Sequence, residues 1–130
     1  MKHYNVVAAV VCHDGKYLCM QKGKTKFEYT SYKWEFPGGK IEPGETLQQA
    51  LARELMEEME YPVEVGEELV AVNYEYPDFS ITMTAFLCTP KGDADGFKRR
   101  EHADSKWCSK DELKGLDWAA ADVGVVASIL

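Results

Sequence analysis

Residues 39–61 read GKIEPGETLQQALARELMEEMEY, and the fold turns on this stretch. Leu47, Leu51, Leu55 and Met59 step by four, and no Gly or Pro falls between residues 46 and 59. That spacing predicts an amphipathic helix over 46–59, ended by Tyr61-Pro62. At about 100° per residue, Leu47 and Leu51 define its buried side. Glu54 and Glu58 fall beside them, Ala50 and Glu57 on the adjoining flank, and Gln49, Met56 and Glu60 on the outer face.

The carboxylates therefore do not occupy the face where a solvated charge run would sit. Glu54, Glu57 and Glu58 crowd within one turn and repel each other. Half-burying them costs more unless a cation compensates, and a hard divalent ion prefers oxygen ligands. The alternative is a surface helix that is simply acidic. Arg53 stands four residues before Glu57, placed either for an ordinary helix ion pair or to orient a ligand carboxylate. Just upstream, Gly38-Gly39 lets backbone approach a ligand closely, and Glu42 and Glu45 add oxygen donors.

Outward from this helix, residues 4–12 (YNVVAAVVC) read as a buried strand that turns at His13-Asp14-Gly15 into a second strand over 16–21. Residues 22–33 read as a loop, 34–36 as a short strand, and 40–42 as another. Two long stretches, 63–76 and 79–89, are rich in Val, Tyr, Thr and Ile, and read as antiparallel strands around Tyr76-Pro77-Asp78. Residues 90–104 read as a charged loop, 105–108 as a strand, 110–114 as a short helix and 122–130 as a C-terminal helix. The expected architecture is one α+β domain over residues 1–130, a mixed sheet between helices in an α/β/α sandwich.

Composition narrows the function classes. The 130 residues carry 15 Lys and Arg against 22 Asp and Glu, a net charge of −7. That speaks against bulk binding of nucleic acid polymers or anionic membranes, and suits a phosphate-bearing substrate only if metal cations come with it. The longest apolar run, residues 6–12, is far short of the ~20 that span a bilayer. No signal-peptide pattern opens the sequence, and the four cysteines show no C-x-x-C pair, so a cytoplasmic protein with reduced thiols is expected.

Residues 39–61 resemble the Nudix box, with Gly39, Glu45, Arg53, Glu54, Leu55, Glu57, Glu58 and Tyr61 on its positions. Glu60 stands where that motif has Gly, so a helix terminus other than the left-handed one is expected. WEFPGGK at 34–40, YEYPD at 74–78, Ile81-Thr82, Trp107 and Ala121-Asp122 extend the resemblance to the MutT-type and CTP-pyrophosphohydrolase branch. The resemblance implies a Nudix α/β/α fold and Mg²⁺-dependent hydrolysis (Mn²⁺ as substitute) of a nucleoside triphosphate to the monophosphate and pyrophosphate, in nucleotide-pool sanitation. It implies metal ligands at the Gly38 carbonyl, Glu54, Glu57 and Glu58, with Arg53 beside them. Glu101, six residues before Trp107, is a further ligand or the base for water, or else a solvated loop residue.

Lys22 and Lys40 are candidate phosphate contacts, and Lys24 and Lys26 weaker ones. Phe36 and Phe79 are candidates for stacking on a base, with Trp34 and Trp118 behind them, though each also suits packing. Asp122 is either a reader of the base edge or a helix N-cap. Phe79 stands where the MutT type has Arg, which leaves 8-oxo-dGTP and CTP or dCTP as rival substrates. Other readings are a nucleotide sensor of the same fold without turnover, a hydrolase of another nucleoside diphosphate derivative, and an acidic calcium-binding domain that lacks the expected loop.

Overall fold

The computed structural model describes residues 1–130. Strand β1 (Lys2–His13) is the axis of the molecule. It runs parallel to β6 (Phe79–Pro90), pairs with β2 (Lys16–Lys22) through the Asp14-Gly15 turn, and takes β4 (Gly38–Lys40) along residues 6–8. β5 (Val63–Glu75) is antiparallel to β6, while β3 (Trp34–Glu35) and β7 (His102–Cys108) pair with β2. The result is a seven-stranded mixed sheet in the order β3-β2-β1-β6-β5, with β4 and β7 branching from β1 and β2.

Alternation along β1 explains why its run is apolar without interruption. Val7, Ala9 and Val11 face α1 (Leu47–Met59), and pack with Ala50, Leu51, Leu55, Met59 and Phe86. Ala8 and Val10 face the other way, toward Ala121, Val125 and Val126 of α3 (Ala120–Ile129). Both faces are covered, as such a strand requires. This is the expected α/β/α arrangement, with the short α2 (Lys110–Leu113) at one side. No helix is long and apolar enough to cross a membrane.

Several boundaries differ from the sequence expectation. β4 begins at Gly38, two residues before the expected 40–42, because Gly38 and Gly39 pair with Ala8 and Val7. β7 begins at His102, not at 105, and so takes in part of the expected loop. α3 begins at Ala120, with Ala119 as its N-cap and no side-chain cap bond, which removes the N-cap role for Asp122.

The end of α1 is a further correction. Glu60 adopts the left-handed conformation (φ 48°, ψ 42°) that glycine would take there, and its N–H donates to Leu55 and Met56 carbonyls. A non-Gly residue pays about 1 kcal/mol for this. The terminus survives because the Glu60 carboxylate meets Lys98 Nζ at 2.9 Å and also Arg100.

Candidate active site

Thr46 caps α1 with its hydroxyl accepting from Gln49 N–H, and Gln49 returns the bond to Thr46 N–H. This capping box fixes where the acidic turns of the helix begin. Arg53 then organises them. Its Nε and Nη2 donate to Glu45 at 2.7 and 2.9 Å, Nη2 also to the Lys40 carbonyl at 3.0 Å. Nη1 donates to Glu54 at 3.0 Å and Glu57 at 3.1 Å. Glu45 is thus a partner of Arg53, not a free oxygen donor, and that forked bond holds its carboxyl below the usual carboxylate range.

Glu54 lies against the β4 backbone. A Cβ on Gly39 would overlap the Glu54 carboxyl group, so Gly39 is the cradle in which that carboxylate rests. Glu58 is half-buried one turn on. Burial, then the neighbouring charges of Glu54, Glu101 and Glu35, push its carboxyl up to about 8. Glu101, just before β7, therefore lies near Glu58, and both line the same cleft. Glu57 differs from the helical-wheel expectation, because its side chain is 60% exposed and turned to Arg53. No three Asp, Glu, His or Cys side chains converge closely enough to enclose one ion in this arrangement. The donor set still fits a hard divalent cation. It offers crowded carboxylates on one short helix segment, a glycine cradle and no soft ligand.

Beside this cluster opens a cleft of about 980 Å³. Gly38, Glu58 and Glu101 line one part of it, and Lys22, Lys40, Phe36, Phe79 and Asp122 also line it. Arg53, Glu54 and Glu57 stand behind, outside its lining. Lys22 is not a free phosphate contact, since its Nζ lies 3.5 Å from Glu35. Lys40 is exposed, with Nζ 4.3 Å above the Tyr4 ring. Phe36 is buried, and one ring face is taken by Trp118 at 4.8 Å. Phe79 belongs to an aromatic wall, stacked on Tyr76 at 4.8 Å and Phe27 at 5.7 Å.

Asp122 is 2% exposed and accepts from Phe36 N–H at 3.0 Å. Burial, then the Glu35 charge, pushes its carboxyl up to about 8 from an ordinary 3.8. The folded state therefore binds the proton more tightly than the unfolded chain. The stability this gives is whole below about pH 4 and is lost as pH rises toward 8. Asp122→Asn keeps the acceptor for Phe36 and cannot ionise. Its melting temperature should match the wild type near pH 4 and exceed it by several degrees at pH 8. Melts across that range check this, and a constant difference would refute it.

The sequence reading missed Glu35 and His102, which also line the cleft. Glu35 sits inside the quoted WEFPGGK stretch, a usable signal. His102 offered none, because it lay in an expected loop.

A profile of the NUDIX domain matches residues 1–128. The chain is 34% identical over 131 residues to the CTP pyrophosphohydrolase of Escherichia coli (strain K12), covering 100% of this chain and 93% of that one. It is 29% identical over 130 residues to the 8-oxo-dGTP diphosphatase of the same strain, covering 99% and 98%. The solution structure of the E. coli ORF135 protein superposes with a TM-score of 0.82 at 33% identity, over 99% of this chain and 89% of that chain. NUDIX hydrolases generally use divalent metal ions, in keeping with the oxygen-rich helix. The chain belongs to the NUDIX family.

Proposed function

We propose that this chain, acting as one catalytic unit over residues 1–130, hydrolyses a nucleoside triphosphate to the monophosphate and pyrophosphate with Mg²⁺. The observation that carries the reading is the meeting of Glu58 and Glu101, backed by Glu54, with a cleft that also holds a buried carboxyl and an aromatic wall. Gly38 through its carbonyl, Glu54, Glu57, Glu58 and Glu101 would hold the metal. The bound ion would neutralise polyphosphate charge and lower the pKa of water. Arg53 keeps Glu54 and Glu57 oriented, and Lys40 offers a point charge to the phosphates.

Glu101 is exposed at the cleft edge and serves as ligand or as acceptor of the water proton. Glu101→Gln should slow kcat by about tenfold or more with little change in melting temperature. Unchanged kcat would remove Glu101 from the site.

Phe79 and the wall around it offer a stacking face, and Asp122 reads the base edge. A neutral Asp122 has one O–H donor and a carbonyl acceptor. That pair complements cytosine, whose N3 accepts and whose amine donates. Guanine N1 and N2 both donate and suit a charged carboxylate instead. CTP or dCTP is therefore favoured over 8-oxo-dGTP. The test is a panel with Mg²⁺ of CTP, dCTP, 5-methyl-dCTP, dGTP, 8-oxo-dGTP, ADP-ribose and a dinucleoside polyphosphate. Pyrophosphate, monophosphate and phosphate are assayed separately, with EDTA and Glu57→Gln as controls. Metal-dependent pyrophosphate release greatest with a cytosine nucleotide is the expected result. Tight binding without turnover would replace the hydrolase by a sensor.

A further inference from the structure

His102 is a polar side chain that the proposed reaction leaves unused. Its side chain is 4% exposed, it lines the cleft, and its Nδ1 is buried with no hydrogen-bond partner. Its Nε2 lies 2.9 Å from Glu35 Oε2. A proton on Nδ1 would leave a buried N–H unsatisfied, at the full desolvation cost of that donor. The proton therefore belongs on Nε2, where it donates to Glu35. Lys22 approaches the other Glu35 oxygen at 3.5 Å, so Glu35 is held from both sides.

The backbone is shaped for this contact. Along the β2–β7 ladder, Gln21 pairs with Asp104, but Lys22 pairs with His102, and Ala103 is passed over. This bulge resets the alternation of β7. Without it Ala103 would stand opposite Lys22, and the His102 side chain would turn to the other face.

A carboxylate held so firmly needs a reason, because Glu35 adds its charge to Glu58 and Asp122 alike. Two of its acceptor sites are used, and a carboxylate has about four. Glu35 thus retains acceptor capacity in the cleft, beside the carboxyl that faces the base. An exocyclic base amine carries two protons, enough for Asp122 and Glu35 together.

We propose that His102 is a positioning residue that fixes the Glu35 carboxylate, and that the fixed Glu35 selects nucleotides whose base carries an exocyclic amine. The proposal rests on the nucleotide reading of the cleft given above. CTP and UTP share ribose and triphosphate and differ at the amine, so their kcat/KM ratio reads the effect directly. His102→Leu should lower the CTP to UTP ratio about tenfold, mainly through the KM for CTP. His102→Gln, whose amide N–H can donate from near the place of Nε2, should restore most of the ratio. Glu35→Gln should lose it as well, and adding His102→Leu to that variant should change little further.

Equal losses on CTP and UTP, or losses that add in the double variant, would overturn the proposal. If His102→Leu does not fold, Glu35→Gln carries the test alone, and an unchanged ratio overturns it. If the wild type hydrolyses neither nucleotide, the cytosine preference fails by itself, and the hydrolase reading fails only if no triphosphate of the panel is turned over. The inference is then read from calorimetric binding of CMP and UMP to the same variants, with the same expected ratio, and equal weakening of both refutes it.

Discussion

Glu58→Gln should make the metal-free protein more stable and the enzyme nearly inactive. Glu58 shares a small volume with Glu54, Glu101 and Glu35, and is partly withdrawn from water. Without a cation, each added negative charge there opposes folding. At neutral pH the folded protein must hold a proton on Glu58 that the unfolded chain has lost, and a neutral amide of the same shape avoids that cost and keeps the packing. Its melting temperature in EDTA should rise by about 3 °C or more at neutral pH. Turnover should fall about a hundredfold to a thousandfold, because a proposed ligand of the essential ion is gone. Divalent cation should stabilise the wild type, since an ion that binds only the folded state adds about 2.7 kcal/mol at a hundred times its Kd. The variant should gain much less. Thermal melts with EDTA and with Mg²⁺, beside a turnover assay, separate the outcomes. A variant less stable in EDTA, or one that keeps wild-type kcat, would show that these carboxylates do not form the ion site.

How much of this was legible in the sequence follows from the range of each interaction. α1 was legible because its determinants are local. Leucines at a spacing of four, an interior without Gly or Pro and the Tyr61-Pro62 stop all lie within residues 46–62. The burial of β1 on both faces was legible for the same reason, since seven consecutive apolar residues leave no polar side. What escaped depends on partners far away in the chain. The left-handed Glu60 is tolerated because Lys98 and Arg100 reach its carboxylate, about 40 residues downstream. Glu45 reads as a metal donor until Arg53 is seen to take both its oxygens. Asp122 reads equally as a cap or as a reader of the base until Ala119 is seen to hold the cap position and Phe36 N–H, 86 residues away, to bind its carboxyl. His102 owes its place to a bulge, and nothing in the local sequence of residues 101–105 announces one.

Two adjacent glycines should fail in opposite ways, and this separates the fold from the site. At Gly38, a Cβ would overlap the Val7 carbonyl and crowd Ala8 Cα, both backbone atoms of β1. Neither can move without shifting the central strand, whose Val7 and Ala8 are 2% and 1% exposed. Gly38→Ala should cost about 3 kcal/mol or more, and appear as a melting temperature lowered by many degrees or as insoluble protein. At Gly39 the added methyl would overlap the Glu54 carboxyl instead, the far end of a flexible side chain. That side chain can swing aside, so Gly39→Ala should fold with a melting temperature within a few degrees of wild type. Yet the carboxylate would leave its cradle and its 3.0 Å bond to Arg53, and turnover should fall about a hundredfold. The measurement is a melt and a kcat for each variant. An active Gly39→Ala would mean that the position of Glu54 against β4 is incidental to catalysis. A stable but inactive Gly38→Ala would mean that β1 yields, and that the role of Gly38 lies at the site alone.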